Sequence, residues 1–314
     1  MQHAPYNFGR ANLALLPARK VLPLALTCLL PLLGAAGALA TMSTLDVSSG
    51  RPATLDKAHE IAFRAKLDGS TQLYMERLPA GFKADKVHHV LIALHGHGSD
   101  RNQGVSDWPE FKAAQDAAAK YEMIYISPDY RAPTSWMGPK AEADMVQIIA
   151  DLKAKYKVGK VFLSGASMGG TSVLTFTALH PELVAGVCSQ NGTANFFEYQ
   201  VAEYGIQEAI KASFGGTKAE VPLEYKKRSA EYWPERFTMP TAMIAGGGDL
   251  IVPPQSVVRL GGVLKELKRP VLLDFRGDRG HATSYEETMA GLEFVITTAL
   301  GINAKPAAQT QGTK

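Results

Sequence analysis

The sequence has few cysteines, little excess charge and no long uninterrupted apolar run. Only Cys28 and Cys188 occur in 314 residues, which allows one disulfide bond at most and excludes a thiolate metal cluster. Cys188 lies in an apolar strand pattern, so we expect an inert buried thiol. The 33 basic and 30 acidic residues nearly balance, which gives no case for a nucleic-acid partner.

The first 40 residues have the pattern of a secretory signal peptide and are excluded from the fold. They contain three basic residues and no acidic one, followed by an apolar segment at 21–33 that prolines interrupt. This segment is short for a membrane span, and the small residues that follow it predict cleavage after Ala40. Cleavage would leave equal numbers of acidic and basic residues and no stable membrane association. We expect an exported protein, periplasmic or extracellular; the alternative is an anchor that stays attached.

Strand and helix patterns alternate over residues 59–302. Residues 41–58 are polar and predict a flexible lead-in, while 303–314 predict a disordered tail. A turn signal at Asp68-Gly69 predicts an antiparallel hairpin at one sheet edge. Six further apolar strands, mostly separated by helices, predict right-handed crossovers. The fold class is therefore α/β, with a mostly parallel eight-stranded sheet flanked by helices.

Residues 191–239 interrupt this alternation. The segment is rich in aromatic side chains and is divided by Gly215-Gly216 and Pro222. We expect a short cap-like insertion before the next strand. Its aromatic side chains, and Trp136 after an earlier strand, are candidates for lining a substrate pocket; ordinary packing is the alternative for both.

Ser167 lies in a G-A-S-M-G pattern that directly follows an apolar strand. Val161, Phe162 and Leu163 show no polar alternation, as expected for a strand covered on both faces. The small residues around Ser167 fit a sharp strand-to-helix turn that exposes a serine hydroxyl. A capped tight turn is the alternative for this pattern alone, so its meaning depends on the ends of the other strands.

Asp249 and His281 follow two later strands. Asp249 lies in a glycine-rich turn, and His281 is the only histidine after His180. Ligands of parallel sheets bind beyond the carboxyl ends of the strands, where Ser167 also lies. Asp249 could instead cap a helix, and Asp274 and Asp278 compete as the acid. The order serine, aspartate, histidine favours Ser167, Asp249 and His281 as a catalytic triad.

A glycine-rich loop, H-G-H-G, follows the strand that ends at Leu94. Acyl transfer needs two backbone N–H groups directed at the developing oxyanion. We expect these from Met168, which follows the serine, and from His97 in this loop. His95 and His97 also raise the question of a metal site, but no third ligand is evident nearby. His88 and His89, which precede the apolar part of this strand, are expected on the surface. The sequence therefore predicts no metal and no cofactor.

Residues 61–300 resemble the α/β-hydrolase superfamily. The resemblance rests on the motifs L-H-G-H-G, G-A-S-M-G-G, G-G-G-D-L-I-V-P-P and G-D-R-G-H, which contain the residues discussed above. The R-S-A-E-Y-W-P-E-R-F-T-M-P run at 228–240 is similar to the stretch before the acid in prolyl-oligopeptidase-like hydrolases and single-domain esterases. No β-propeller pattern precedes this domain, unlike in the large peptidases.

The resemblance implies a serine hydrolase but does not name its substrate. Our hypothesis is that the substrate is a small-molecule carboxylic ester. We expect an acyl-enzyme mechanism at Ser167 that requires no cofactor. Three alternatives remain: a serine peptidase acting on short peptides, a thioesterase or acyltransferase, and a non-catalytic binding protein on the same fold.

Overall fold

The computed structural model describes residues 53–302. The predicted signal peptide, residues 41–52 of the predicted lead-in, and the predicted tail lie outside the described residues. The described chain forms a single eight-stranded sheet with helices on both faces, which confirms the predicted fold class. The strands are β1 His59–Arg64, β2 Thr71–Arg77, β3 His88–Leu94, β4 Ile124–Pro128, β5 Val158–Ala166, β6 Gly186–Gln190, β7 Thr241–Gly246 and β8 Val271–Arg276.

The strand order is β1-β2-β4-β3-β5-β6-β7-β8. β1 pairs antiparallel with β2, as the hairpin signal at Asp68-Gly69 predicted. β2 also pairs antiparallel with β4. All other neighbours pair in parallel. Leu94 is opposite Gly165, Ala166 is opposite Gln190, and Gly246 is opposite Arg276. The carboxyl ends of these strands therefore meet at one rim of the sheet.

Seven α-helices connect or flank the strands. Their bounds are α1 Pro109–Lys120, α2 Pro139–Lys155, α3 Met168–Leu179, α4 Ile206–Phe214, α5 Pro222–Arg228, α6 Gln255–Glu266 and α7 Tyr285–Leu300. Proline occupies the first turn of α1, α2 and α5, where its missing N–H removes no helical bond. α7 begins with a capping box between Ser284 and Glu287. Within residues 53–302, no helix has both the length and the apolar character of a membrane span.

The two faces of the sheet carry separate apolar layers. In β3, Val90, Ile92 and Leu94 face one layer, while Leu91 and Ala93 face the other. Because both faces are covered, alternate side chains are equally apolar, which explains the missing polar alternation. α1 and α7 pack on the second face. Cys188 belongs to this layer, and burial raises the pKa of its thiol to about 12, consistent with the predicted inert thiol.

Two local predictions were wrong. Residues 183–185 were expected in the strand before Cys188, but β6 begins at Gly186 because a short 3-10 turn occupies Pro181–Leu183. His88 was expected on the surface, but it lies within β3 and is buried. Its ring nitrogens contact the backbone carbonyls of Glu122 and Lys83, and its ring stacks on Phe82.

The insertion at 191–239 contains α4, α5 and three short 3-10 turns. Most of its aromatic side chains pack against one another, so packing is the correct alternative for them. Phe214 lies 4.9 Å from Phe196 and 4.9 Å from Tyr225, measured between ring centroids, with the rings tilted edge to face. Phe237 is also fully buried. Tyr204 and Tyr232 are the exposed members of this set.

An ion pair anchors the insertion to α2. Arg228 at the end of α5 is fully buried, and its Nη2 lies 2.7 Å from Glu142 Oε2 and 3.2 Å from Glu224 Oε2. Burial alone would raise the pKa of Glu142, but a hydrogen bond with His180 and the charge of Arg228 lower it to about 2. The carboxyl of Glu142 is therefore ionised in the folded protein at neutral pH.

We expect Glu142→Gln to lower the free energy of unfolding by about 2 kcal/mol at pH 7, because a buried guanidinium loses its main counter-charge. The contribution of Glu142 is full above its unfolded pKa near 4.5 and is lost as pH falls towards 2. Denaturant titrations should thus show a wild-type-to-variant difference that shrinks over this interval. Glu182→Gln is the matched control, since Glu182 also faces His180 but is largely exposed. Equal losses in both variants would contradict the assignment.

Candidate active site

Ser167 lies at the turn between β5 and α3. Its φ of 60° and ψ of −120° are strained values for a residue with a side chain. Tight packing of the neighbouring glycines holds it there. A Cβ on Gly165 would lie 2.6 Å from the carbonyl carbon of Gly169, and a Cβ on Gly169 would collide with the carbonyl oxygen of Leu94. The turn has the geometry of a nucleophile elbow.

Gly169→Ala should lower the free energy of unfolding by at least about 2 kcal/mol, because the backbone of β3 or α3 must shift to admit the methyl group. Chemical denaturation measures this loss. Gly262→Ala in α6 is the control, since a Cβ there meets nothing within 4 Å and should leave stability equal or slightly higher. A Gly169→Ala protein as stable as the Gly262→Ala protein would refute the close contact.

The structure brings Ser167, His281 and Asp249 together in one hydrogen-bonded array. His281 Nε2 lies 2.9 Å from Ser167 Oγ, and His281 Nδ1 lies 2.7 Å from Asp249 Oδ2. The carboxylate of Asp249 accepts a hydrogen bond from the Nδ1–H group of His281. The other ring nitrogen, Nε2, is then free to accept a hydrogen bond from the serine hydroxyl. The three side chains come from loops after β5, β7 and β8, where the sequence placed them.

Asp249 is held in place by its own turn. Its Oδ1 accepts hydrogen bonds of 2.9 Å from the backbone N–H groups of both Ile251 and Val252. Its side chain is 1% exposed, so it faces His281 without competing water. Of the competing acids, Asp274 pairs with Arg276, and Asp278 is exposed. Only Asp249 reaches the imidazole.

Two backbone N–H groups near Ser167 are candidates for binding an oxyanion. In the loop after β3, Gly96 N–H donates to Gln103 Oε1 at 2.7 Å, and Gly98 N–H donates to the carbonyl of Pro133 at 2.8 Å. The N–H of His97 between them has no acceptor among residues 53–302, nor has the N–H of Met168 at the start of α3. These are the two donors that the sequence assigned to an oxyanion hole.

Gln103 was not singled out by the sequence. It lies in a short 3-10 turn and fixes the direction of the Gly96 peptide. A glutamine nine residues beyond a strand carries no local signal of this role, because the contact depends on how the loop folds back.

The His97 side chain joins the loop after β3 to the insertion. Its Nδ1 accepts a 3.0 Å hydrogen bond from the indole N–H of Trp136, so the ring proton lies on Nε2, which donates to the carbonyl of Tyr204 at 3.2 Å. Burial lowers the pKa of His97, which favours this neutral form. Both ring nitrogens of His95 are also occupied, since they contact the backbone carbonyls of Gly96 and Asp129.

Trp136 does not line the pocket, contrary to the prediction. Its side chain is fully buried behind His97, and its backbone N–H contacts Met168 Sδ at 3.4 Å. Its ring packs between His97 and Tyr199, at centroid distances of 5.8 and 5.5 Å. Trp136 therefore supports the wall of the site and cannot touch a substrate without a rearrangement.

A pocket of about 280 Å³ opens over Ser167 and His281. The sequence missed two of its lining residues, Trp108 just before α1 and Glu110 in the first turn of α1. Tyr204 also lines it, and it belongs to the aromatic residues of the insertion that the sequence analysis proposed as candidates. Trp108 and Tyr204 are 59% and 68% exposed, so their rings border the opening. Phe111, Ile206 and Ile251 add apolar surface.

Comparison with known proteins supports the same fold. Residues 89–223 match the family model described as the alpha/beta hydrolase fold. This range includes Ser167 and the loop after β3 but ends before Asp249 and His281. The chain therefore has the α/β-hydrolase fold, with a serine at the turn that corresponds to a nucleophile elbow. Comparison with curated proteins gives no match.

Several solved structures are similar at low sequence identity. FphF, a fluorophosphonate-binding serine hydrolase of Staphylococcus aureus, is 14% identical with a TM-score of 0.59; the alignment covers 79% of this chain and 99% of FphF. The ferulic acid esterase AmCE1/Fae1A of Anaeromyces mucronatus is 16% identical with a TM-score of 0.56, covering 78% and 92%. A Bacteroides ovatus protein assigned as a dipeptidyl aminopeptidase IV is 15% identical with a TM-score of 0.61. This chain aligns over 80% of its own length but spans only 36% of that protein.

Proposed function

We propose that the protein is an exported serine hydrolase that cleaves carboxylic esters through an acyl-enzyme. The observation that carries the proposal is the array of Ser167, His281 and Asp249 beside two backbone N–H groups without acceptors. A nucleophile, a base oriented by a buried carboxylate, and donors for an oxyanion are the parts that acyl transfer requires.

In the first half of the reaction, Ser167 Oγ attacks the ester carbonyl while His281 Nε2 takes its proton. The carbonyl oxygen becomes an oxyanion and accepts hydrogen bonds from the N–H groups of His97 and Met168. Asp249 stabilises the imidazolium and keeps the Nδ1 proton in place. The tetrahedral intermediate then collapses, its bond to the alcohol oxygen breaks, and His281 protonates the departing alcohol.

In the second half, water replaces the alcohol. His281 removes a proton from this water, the hydroxide attacks the acyl carbonyl, and the same two N–H groups hold the new oxyanion. Collapse breaks the bond to Ser167 Oγ, which recovers its proton from His281. The products are an acid and an alcohol, and every proton transfer uses groups of this chain or water.

The similar structures include both a ferulic acid esterase and a protein assigned as a dipeptidyl aminopeptidase. The peptidase remains the second candidate, since the same array also serves amide cleavage.

A fluorophosphonate probe tests the nucleophile. We expect labelling of the wild-type protein at Ser167, found by mass spectrometry of the digested protein, because the probe reacts with an activated serine. Parallel panels of p-nitrophenyl esters and aminoacyl p-nitroanilides then separate the two hydrolases. Turnover confined to the anilides would replace the esterase with a peptidase, and an unlabelled Ser167 would favour a non-catalytic binding protein.

Export is a separate part of the proposal. It is supported by the basic start, the short apolar segment and the small-residue pattern up to Ala40, all of which lie outside the described residues. Expression of the full chain in a bacterial host, followed by N-terminal sequencing of the exported protein, should find Thr41 first. Protein retained in the cytoplasm with its leader intact would exclude export.

A further inference from the structure

The pocket over Ser167 contains one carboxylate that the proposed chemistry does not use. Glu110 lines this pocket from the first turn of α1. No side chain among residues 53–302 donates a hydrogen bond to its carboxylate or forms an ion pair with it. Burial raises the pKa of Glu110, while its own backbone N–H and the nearby His281 partly oppose the rise. Burying half of an acid without a side-chain partner in an apolar pocket is unfavourable unless a ligand supplies that partner.

The surroundings of Glu110 favour one kind of ligand. Trp108 and Tyr204 present large exposed rings to the same pocket, and aromatic faces attract cations. No lysine or arginine is among the described residues that line the pocket, and His97 is held neutral by its two hydrogen bonds. An anionic substrate would therefore meet a carboxylate without a compensating charge, whereas an ammonium group would complete the site.

We propose that Glu110, with Trp108 and Tyr204, selects esters that carry a cationic ammonium group close to the scissile bond. This inference rests on the proposed function, because it assigns a substrate class to the same pocket. Glu110 is a specificity-determining residue here: its carboxylate faces the cation, and the two rings cover the cation's apolar surface. It takes no part in the proton transfers between Ser167 and His281.

Two pairs of isosteric substrates test the proposal by comparing equal shapes with and without charge. The first pair places the cation on the acyl side: p-nitrophenyl 4-(trimethylammonio)butyrate and p-nitrophenyl 5,5-dimethylhexanoate. The second places it on the alcohol side: 2-(trimethylammonio)ethyl butyrate and 3,3-dimethylbutyl butyrate. For at least one pair, the wild-type kcat/KM should be about tenfold higher for the cation, the size expected of one partly screened charge contact with aromatic support.

Glu110→Gln should bring this ratio of kcat/KM close to one. The ratio isolates recognition, because any effect of Glu110 on folding or on the basicity of His281 acts on both members of a pair equally. Glu266→Gln in α6 removes the same charge outside the pocket and should leave the ratio at its wild-type value. Ratios near one for both pairs in the wild type, or a wild-type ratio in Glu110→Gln, would overturn the proposal.

Binding without turnover separates this inference from the esterase proposal. In Ser167→Ala, calorimetry should give a lower Kd for methyl 4-(trimethylammonio)butyrate than for methyl 5,5-dimethylhexanoate, and Glu110→Gln in that background should equalise the two. If no ester is hydrolysed but this difference in Kd is present, the reaction is wrong and the cation site is retained. If esters are hydrolysed with equal kcat/KM and equal Kd, the cation site is wrong and the esterase is retained.

Discussion

Ser167→Ala should reduce kcat for the best ester by about 10⁴-fold or more while leaving the fold intact. The substitution removes only Oγ, and a smaller side chain fits the backbone of the elbow at least as well as serine does. The residual rate would come from the two N–H donors and from substrate positioning. Steady-state hydrolysis measures the loss, and circular dichroism with thermal unfolding checks that the structure persists.

Ser99→Ala is the matched control for this experiment. Ser99 lies in the loop after β3, near the same rim of the sheet, but its side chain makes no hydrogen bond with residues 53–302 and does not line the pocket. It should retain wild-type kcat and fluorophosphonate labelling. Turnover by Ser167→Ala within tenfold of the wild type would rule out an acyl-enzyme at this position.

Asp249→Asn should lower kcat by about 10³- to 10⁴-fold through the tautomer of His281. Oδ1 already accepts two backbone N–H groups, so the oxygen of an asparagine will remain there and its NH₂ will face the imidazole. His281 Nδ1 must then accept this hydrogen bond, which places the ring proton on Nε2. A protonated Nε2 cannot remove the proton of Ser167.

Kinetics over a range of pH would check this explanation, because a wrong tautomer of the neutral ring is not corrected by raising the pH. Asp278→Asn is the control: Asp278 is exposed in the loop that carries His281, and its substitution should leave kcat within about twofold of the wild type. Recovery of wild-type kcat by Asp249→Asn at high pH would contradict the tautomer argument.

The rim of the sheet could be predicted because its residues follow strands with strong local signals. Ser167, Asp249 and His281 each lie in a glycine-containing turn or loop that follows an apolar strand. Parallel pairing brings the carboxyl ends of these strands to the same rim of the sheet. The spatial prediction, that these three side chains meet, agrees with the distances in the array. Their chemistry remains to be measured.

The pocket walls could not be predicted in the same way. Trp136 was interpreted as a pocket residue because it follows a strand end, yet the insertion and the His97 side chain cover it. Trp108 and Glu110 reach the pocket through the packing of α1, and their sequence neighbours give no sign of it. Tyr204 was one of several aromatic candidates in the insertion, and the packing selects it from the others. Long-range packing decides which face of such loops meets the substrate.

The link between His97 and the backbone of Tyr204 has a consequence for how substrate size and rate depend on each other. In the proposed mechanism, His97 donates its backbone N–H to the reacting carbonyl, and its ring is hydrogen-bonded to the segment that borders the pocket. A bulky ester that displaces the segment around Tyr204 would also displace the loop after β3, because His97 joins the two. The backbone N–H of His97 would then no longer point at the reacting carbonyl. Esters too large for the pocket should therefore show a lower kcat as well as a higher KM. The same residue would thus contribute to both rate acceleration and selection by substrate size.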